Sequence, residues 1–237
     1  MLLMKSIDII MRRLAIIPAR GGSKRIPHKN IKEFLGKPIL AYSIEAALES
    51  GLFNEVMVST DDAIIAAAAL HYGARVPFRR SGETAGDHSS TIAVLKEVEK
   101  DYLTQEKQGF DVVCCIYPTA PLIKIESLVA GFELLMDEDF DSVFPVAKFS
   151  YPIWRAVEIE NGKTKMIWPE HQESRTQDLP AAYHDAGQWY WYQSARITDS
   201  LFTENSGSII LPEEDVQDID TSSDWALAEL KYKLRTT

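Results

Sequence analysis

Short apolar runs alternate with longer amphipathic segments along most of the chain, and each kind of segment predicts one kind of element. The apolar run at residues 14–17 is typical of a buried strand, and the most apolar run, at residues 112–117, predicts a central one. The pattern predicts strands at 14–17, 55–60, 75–78, 112–117, 142–146, 188–192 and 208–211, and helices at 38–50, 61–72, 91–102, 125–136 and 224–234. Strands and helices that alternate in this way predict an α/β fold with a mostly parallel sheet flanked by helices.

The alternation stops between residues 149 and 187. This segment is rich in Pro, Trp, His and charged residues, and its periodicity is weak. We interpret it as an insertion within a single domain spanning residues 14–237, with a small β-ribbon near residues 156–167 and an extended arm. Its large aromatic side chains, at Trp154, Trp168 and Tyr183, are more typical of an interface than of a cofactor site.

Composition and charge narrow the class of protein. The chain has 237 residues, of which 46% are hydrophobic and 25% charged, as in ordinary soluble enzymes, and a formal net charge of −10. That charge argues against a nucleic-acid partner. Its two cysteines, Cys114 and Cys115, lie side by side in an apolar run, which favours buried thiols in a reducing compartment.

The first 13 residues are apolar with a few charges. Their apolar run falls short of the roughly 18 residues that a membrane span requires, and they lack the pattern of a signal peptide. We therefore expect a cytoplasmic protein without a membrane partner, in which residues 1–13 are a dispensable leader. Met1, Met4 and Met11 remain alternative starts.

A basic loop, defined as residues 18–30, directly follows the first strand. It contains four Arg or Lys residues, His28 and no acid, and two adjacent glycines, Gly21 and Gly22. Such a loop at the carboxyl end of a strand favours an anion site, in which backbone amides and basic side chains bind phosphate oxygens. The sequence matches neither a Walker A motif nor G-x-G-x-x-G, and the alternative is a solvated basic loop.

Two carboxylates, Asp218 and Asp220, form a second candidate site near the end of the chain. Side chains two residues apart on an extended segment point to the same side, so both could bind one hydrated Mg²⁺. A single Asp-x-Asp is weak by itself, since most such pairs are surface acids. An anion-binding loop elsewhere in the chain makes a shared polyphosphate–metal site the better interpretation.

Five segments together resemble the CMP-sugar synthetases, the cytidylyltransferases of sialic and related nonulosonic acids. They are residues 17–30, 58–61, 79–91, 118–121 and 218–221, which occur in the family's order. Residues 169–179 and 183–191 further resemble the pseudaminic acid cytidylyltransferases. Neuraminate enzymes typically have Gln-Pro-Thr-Ser-Pro at residues 117–121 and Asn-Gly at 186–187, whereas this chain has Tyr-Pro-Thr-Ala-Pro and Ala-Gly.

The resemblance implies a Rossmann-like nucleotidyltransferase with a dimerisation insertion. The anomeric hydroxyl of a nonulosonic acid would attack the α-phosphorus of CTP with the help of Mg²⁺, releasing diphosphate. The implied CTP-binding residues are Ala19, Arg20, Gly21, Gly22, Ser23, Lys29, Asn30, Arg79, Ser90 and Thr119, and the implied catalytic residues are Arg20, Lys29 and Asp220. The implied sugar-binding residues are Arg175, Gln177, His184, Asp185 and Gln188, and the metal ligands are Asp218 and Asp220.

Several alternatives stay open at this point. The sugar could be pseudaminate, neuraminate, legionaminate or another nonulosonate, and His184 and Asp185 could serve as a general base or only position the sugar. The implied homodimer, with exchanged insertion arms, could complete the sugar site in trans. An Asp-x-Asp glycosyltransferase and a non-catalytic nucleotide-binding module are alternatives of a different class; such a glycosyltransferase usually carries its acids after an early strand.

Overall fold

The computed structural model describes residues 11–86 and 89–235. The strands are β1 Arg13–Pro18, β2 Glu33–Phe34, β3 Lys37–Pro38, β4 Glu55–Ser59, β5 Val112–Ile116, β6 Ser142–Lys148, β7 Val157–Glu160, β8 Lys163–Met166, β9 Tyr183–Asp185, β10 Trp189–Gln193 and β11 Ser206–Leu211. The α-helices are α1 Ile39–Glu49, α2 Ala63–His71, α3 Thr91–Asp101, α4 Ile125–Asp137 and α5 Ser222–Arg235.

A seven-stranded sheet organises the fold, with the order β11-β6-β10-β5-β1-β4 and with β9 paired to β6. Strand β1 is parallel to both β4 and β5, and β6 is parallel to β11. Strand β10 lies antiparallel between β5 and β6 and is their only link within the described sheet. The predicted α/β fold is confirmed, with β9 and β10 as the antiparallel exceptions.

Alternation along β1 explains why both faces of the sheet are covered. Ala15 and Ile17 pack into one core cluster with residues of α1 and α4, while Leu14 and Ile16 pack into another with residues of α3. All five residues of β5 are buried, which confirms its predicted central position. Burial on both faces is what gives these strands their continuous apolar sequence.

The strand predicted at residues 75–78 was wrong. Only isolated bridges form there, from Met57 to Arg75 and from Thr60 to Arg79. Arg75 exchanges backbone hydrogen bonds with Val56 and Val58, but Pro77 has no N–H with which to extend the ladder.

Helix α5 buries a different set of side chains from the one its sequence suggests. Trp225 packs edge-on against Phe34 and is buried. The apolar positions Leu227, Leu230 and Leu234 are instead 43%, 54% and 70% exposed. None of the helices in the described ranges is both long and apolar enough to cross a membrane.

The segment after β6 contains the antiparallel ribbon β7–β8, near the position predicted for it. It ends in β9, which returns to the main sheet beside β6, so residues 183–185 belong to the sheet and not to the insertion. At the other end of the chain, Arg12 N donates to Asp111 Oδ2 and β1 already begins at Arg13. Residues 11–13 are thus part of the fold, and the rest of the predicted leader lies outside the described residues.

Candidate active site

A cleft of about 420 Å³ opens at the carboxyl ends of β1 and β5. Its lining combines the basic loop with the segment that follows β5: Pro18, Arg20, Ser23, Lys24, Arg25, Lys29, Asn30, Tyr117, Pro118 and Thr119. Carboxyl ends of neighbouring parallel strands are where open α/β sheets bind ligands. Six polar or charged side chains of the loop therefore face one cavity beside the predicted Thr119.

The basic loop is held in place by the end of β4. Ala19 N donates to Ser59 O at 2.9 Å, and Gly21 N donates to Asp61 Oδ1 at 2.9 Å. From the other side, the buried Asn30 donates through Nδ2 to Arg20 O at 2.9 Å. The Gly21 amide, expected to bind the triphosphate, is thus hydrogen-bonded within the protein, because Asp61 lies under the loop.

The glycine at position 21 is required by a close approach. A Cβ atom there would lie 2.8 Å from Asp62 Oδ2 and 2.9 Å from Asp62 Cβ. Asp62 is not free to move away, since its Oδ1 accepts hydrogen bonds from Ile64 N and Ile65 N at the start of α2. At Gly22 a Cβ would meet nothing within 4 Å.

The basic loop and the late carboxylates meet at this cleft. Lys29 Nζ donates to Ile219 O at 2.6 Å and lies 3.8 Å from Asp220 Oδ1. Arg25 Nη1 lies 2.6 Å from Asp220 Oδ2. Arg25, which is not among the site residues predicted from the sequence, thus pairs with a predicted metal ligand.

The electrostatics of this corner reflect partial burial. Burial lowers the pKa of the Lys29 ammonium, and the carboxylates of Asp220 and Asp218 oppose that shift. Burial likewise raises the pKa of Asp218, and the neighbouring charge of Asp220 adds to the shift. Two carboxylates held close together favour a cation between them.

The donor set fits a magnesium ion that the nucleotide helps to bind. No cluster of three or more His, Cys, Asp or Glu side chains suited to a metal occurs among the described residues. Mg²⁺ is commonly held by one or two carboxylates, with waters and substrate phosphates completing its coordination. Asp218 and Asp220 would supply the protein ligands of such a site.

A smaller chamber of about 180 Å³ adjoins the cleft and shares three of its lining residues, Pro18, Arg20 and Tyr117. Its other lining residues are Arg80, Gly86, Ser89, Thr91 and Val94. The sequence did not single out Arg80. The Arg79-Arg80 pair was the available signal, but it does not tell which of the two side chains points inward.

Two of the predicted CTP-binding residues that lie outside the basic loop, Arg79 and Ser90, line neither chamber. Arg79 donates through Nη2 to Asp61 O at 3.2 Å and lines a separate pocket against α2. It points there because its backbone bridges to Thr60, which directs the next residue, Arg80, towards the cleft. Ser90 is the N-cap of α3, where its Oγ accepts from Ala93 N, and it lines neither chamber.

The residues predicted to bind the sugar are not brought together in the single chain. Arg175 pairs with Asp178 at 2.7 Å, and its side chain is 72% exposed. Gln177 lines a separate depression of about 180 Å³ at the base of the insertion. His184, on β9, contacts the ring of Phe149. These residues lie on the insertion or the sheet edge, so one chain alone does not carry them to the cleft.

The other two sugar-side candidates serve the fold. Asp185 accepts from Tyr190 OH at 2.5 Å and from Gly187 N at 3.0 Å. Gln188 is buried and donates through Nε2 to Asp215 O at 2.6 Å. Neither lines the cleft or the smaller chamber.

Comparison with known proteins bears directly on this cleft. A model of the cytidylyltransferase family matches residues 14–200, which include the basic loop and the segment after β5. The chain belongs to the cytidylyltransferase family. Members of this family are enzymes, and the chain is therefore a nucleotidyltransferase.

Individual relatives refine the position within the family. A pseudaminic acid cytidylyltransferase from Campylobacter jejuni is 44% identical over 94% of this chain and 97% of its own length. A CMP-N,N'-diacetyllegionaminic acid synthase from Legionella pneumophila is 35% identical, with the same coverage of 94% and 97%. This cytidylyltransferase is therefore similar to the CMP-sugar synthetases as a group.

A solved structure supports the fold. The structure of CMP:2-keto-3-deoxy-manno-octonic acid synthetase complexed with CTP superposes with a TM-score of 0.65 and 19% identity, covering 95% of this chain and 99% of that one. At this identity the similarity concerns the architecture alone. It agrees with the mixed sheet and flanking helices of this cytidylyltransferase.

Proposed function

We propose that this cytidylyltransferase activates pseudaminic acid: CTP and pseudaminate react to give CMP-pseudaminate and diphosphate. The relative with 44% identity is named for this sugar, whereas the legionaminate enzyme shares 35%. Transfer to legionaminate or neuraminate is the second candidate, supported by those relatives and by the shared family. Both candidates use the same cleft and differ in the sugar that attacks.

One observation carries the proposal: the contact of Lys29 and Arg25 with the segment that holds Asp220. Cations and carboxylates that are far apart in sequence thus meet beside one cavity. A nucleoside triphosphate needs cations for its phosphate oxygens, and a metal bound to those oxygens needs carboxylates. The cleft offers both within a few ångströms.

The side chains of the cleft then have separate roles. Arg20, Ser23 and Lys29, with the Gly22 amide, would bind the triphosphate and stabilise the charge that develops on the leaving diphosphate. Asn30 would act on the nucleotide through the backbone of Arg20, which it holds. Thr119 lies on the opposite wall, after β5.

Asp218 and Asp220 would hold Mg²⁺. When bound, the ion would offset phosphate charge and make the attacking hydroxyl more acidic. Asp220 also contacts Arg25 and Lys29, two residues that line the cleft. The chain's own contribution is to bring both carboxylates to the phosphates in a fixed geometry.

A homodimer built by the insertion would complete the sugar site. The insertion exposes apolar side chains, with Tyr151 84%, Ile159 73% and Ile167 47% exposed. Exposed apolar side chains on an extension are typical of a protein interface. In such a dimer, Arg175, Gln177 and His184 would reach the sugar in the partner's cleft, where Arg175 could bind its carboxylate.

We place this reaction in the cytoplasm. Cys114 and Cys115 are free and buried, as suits a reducing compartment, and CTP is an intracellular substrate.

The test is a substrate panel. Purified protein is incubated with CTP, Mg²⁺ and either pseudaminic, legionaminic or N-acetylneuraminic acid, and diphosphate release is measured together with the CMP-sugar product. We expect the highest kcat/KM with pseudaminic acid. Release with none of the three sugars would refute the proposed function, and a higher value with legionaminic acid would select the second candidate.

A further inference from the structure

The smaller chamber owes its shape to a tight turn between α2 and α3. Arg80 is 9% exposed and donates from Nε to Thr84 O at 2.9 Å, with a second bond from Nη2 to the same carbonyl. This pairing closes residues 80–84 into a compact turn. It leaves the rest of the guanidinium to line the chamber beside Arg20 and Tyr117.

A single carboxylate on α3 binds this turn at two points. Glu97 Oε1 accepts from Ser81 N at 2.9 Å, and Glu97 Oε2 accepts from Thr84 Oγ1. Burial raises the pKa of Glu97, but its hydrogen bonds from Thr84 and Ser81 outweigh that effect and leave the pKa below its ordinary value. Glu97 is therefore an ionised acceptor for Ser81, which follows Arg80 in sequence, and for Thr84, whose carbonyl oxygen Arg80 binds.

The chemistry of the two chambers differs. The larger one contains the cations of the basic loop and adjoins the two carboxylates, as a metal-bound triphosphate requires. The smaller one combines the guanidiniums of Arg80 and of the shared Arg20 with two hydroxyl groups, an aliphatic side chain and an aromatic ring, from Ser89, Thr91, Val94 and Tyr117. Hydrogen-bonding groups beside an aromatic ring and an aliphatic side chain suit the polar edge and the flat face of a nucleobase.

Glu97 itself lines neither chamber, so any influence on ligand binding must act through the turn. We propose that Glu97 is a positioning residue, which fixes Arg80 in the nucleoside part of the CTP site by holding the turn that carries it. This inference rests on the proposed function, because it takes CTP as the ligand. It adds a residue of α3 that contacts no substrate.

The experiment compares three variants by isothermal titration with two probes, CMP and inorganic diphosphate. Glu97→Ala removes both acceptor oxygens. We expect the Kd for CMP to rise about tenfold or more, which corresponds to the loss of one or two hydrogen bonds. Binding of diphosphate should stay within about twofold of wild type, because the larger chamber is untouched. In Glu97→Gln the amide oxygen can accept from Ser81 N and the amide nitrogen can donate to Thr84 Oγ1, so CMP binding should be largely retained.

Asp101→Ala is the matched control. Asp101 is an acid on the same helix whose carboxylate accepts from Gln105 Nε2, and the variant should bind both probes like wild type. A Glu97→Ala protein that binds CMP normally would overturn the proposal. Equal weakening of CMP and diphosphate would also overturn it, since that pattern indicates general loss of structure.

Thr84→Val keeps the proposal testable if Glu97→Ala does not fold. It removes one of the two bonds to Glu97 and should weaken CMP binding by a smaller factor, again without affecting diphosphate. Unchanged CMP binding in Thr84→Val would count against the proposal. Failure of the proposed function would appear differently, as wild-type protein that binds CMP but forms no CMP-sugar.

Discussion

At the scale of single residues, the two glycines of the basic loop occupy different surroundings, and this difference can be tested. Gly21→Ala would push a Cβ into Asp62, which caps α2. We expect it to lower the free energy of unfolding by about 1–2 kcal/mol, the range for a disturbed N-cap or an overpacked contact. Urea unfolding followed by circular dichroism measures the change.

Gly22→Ala is the control for that prediction. The added Cβ meets nothing within 4 Å, and the backbone at Gly22 is not in the positive-φ region. Its stability should match wild type or slightly exceed it, because alanine restricts the unfolded chain. Equal destabilisation of the two variants would contradict our account of the Gly21 contact.

Asp220 should matter for turnover and little for stability. Asp220→Asn removes one of two carboxylates proposed to hold the metal, and we expect kcat to fall about a hundredfold or more. The ion pair with Arg25 is largely exposed, so its loss should change the unfolding free energy by only about 0–1 kcal/mol. Steady-state kinetics and urea unfolding of the same preparation separate the two effects.

Asp139→Asn is a suitable control. Asp139 pairs with Arg196 just before β6 begins, at the end of the strands opposite the cleft. It should leave kcat unchanged. Full activity of Asp220→Asn would remove this residue from the metal site.

At the scale of elements, helix α4 packs on β10 through a position without a side chain. A Cβ at Gly131 would lie 2.3 Å from Trp189 Cη2 and 3.2 Å from Trp191 Cδ1. Both tryptophans are fully buried, so neither can swing into solvent. The helix and the strand can approach closely only because residue 131 is glycine.

Gly131→Ala should therefore destabilise the protein by about 1–3 kcal/mol, as overpacked cores usually do, although alanine is the better helix former. Thermal unfolding compared with Gly109→Ala, where a Cβ meets nothing within 4 Å, isolates the packing effect. A Gly131→Ala protein as stable as wild type would show that α4 shifts easily on the sheet.

Elements were predictable from the sequence where local pattern and tertiary contacts agree. Strand β5 and the core-facing residues of helix α1, such as Leu40 and Ile44, are examples, because these apolar residues are buried as their spacing suggests. Helix α5 is the contrary case. The spacing of Leu227 and Leu230 predicts that they face the core. Which face of a helix is buried depends on what packs against it, and no other part of the described chain covers these two leucines.

The candidate site was predictable to a similar extent. The basic loop and the late carboxylates could be paired because a polyphosphate–metal site needs both kinds of charge. Arg80 could not be chosen over Arg79, since that choice depends on an isolated bridge beside a proline. The sugar-side residues could not be placed either, because Arg175 and its neighbours lie on an insertion whose contacts the local sequence does not encode.

At the scale of the whole molecule, the insertion should determine the oligomeric state. Phe149 N donates to Ala182 O at 3.0 Å, so these two residues can be joined by a short Gly-Ser loop that replaces residues 151–180 and keeps β9 on β6. We expect the shortened protein to be a monomer by analytical ultracentrifugation, while full-length protein is a dimer. It should still bind CTP, because the cleft is built from other segments.

A milder variant serves as the control for that deletion. Ile159→Ser changes one side chain that is 73% exposed on the ribbon and should weaken the dimer without altering the fold of the monomer. A shortened protein that still sediments as a dimer would place the interface elsewhere on the molecule.

The position of β10 affects how the protein can fold during its synthesis on the ribosome. Strands β4, β1 and β5 can pair as soon as residue 116 has emerged, and β6 has no place beside them until residues 189–193 insert between β5 and β6. Such a long-range closure is slow, because a large loop must be ordered before its contacts form. Asp218 and Asp220 emerge later still, so the loop proposed to bind phosphate is synthesised well before the carboxylates proposed to hold the metal. The proposed nucleotidyl transfer would therefore begin only after the segment that follows β11 has folded beside the basic loop.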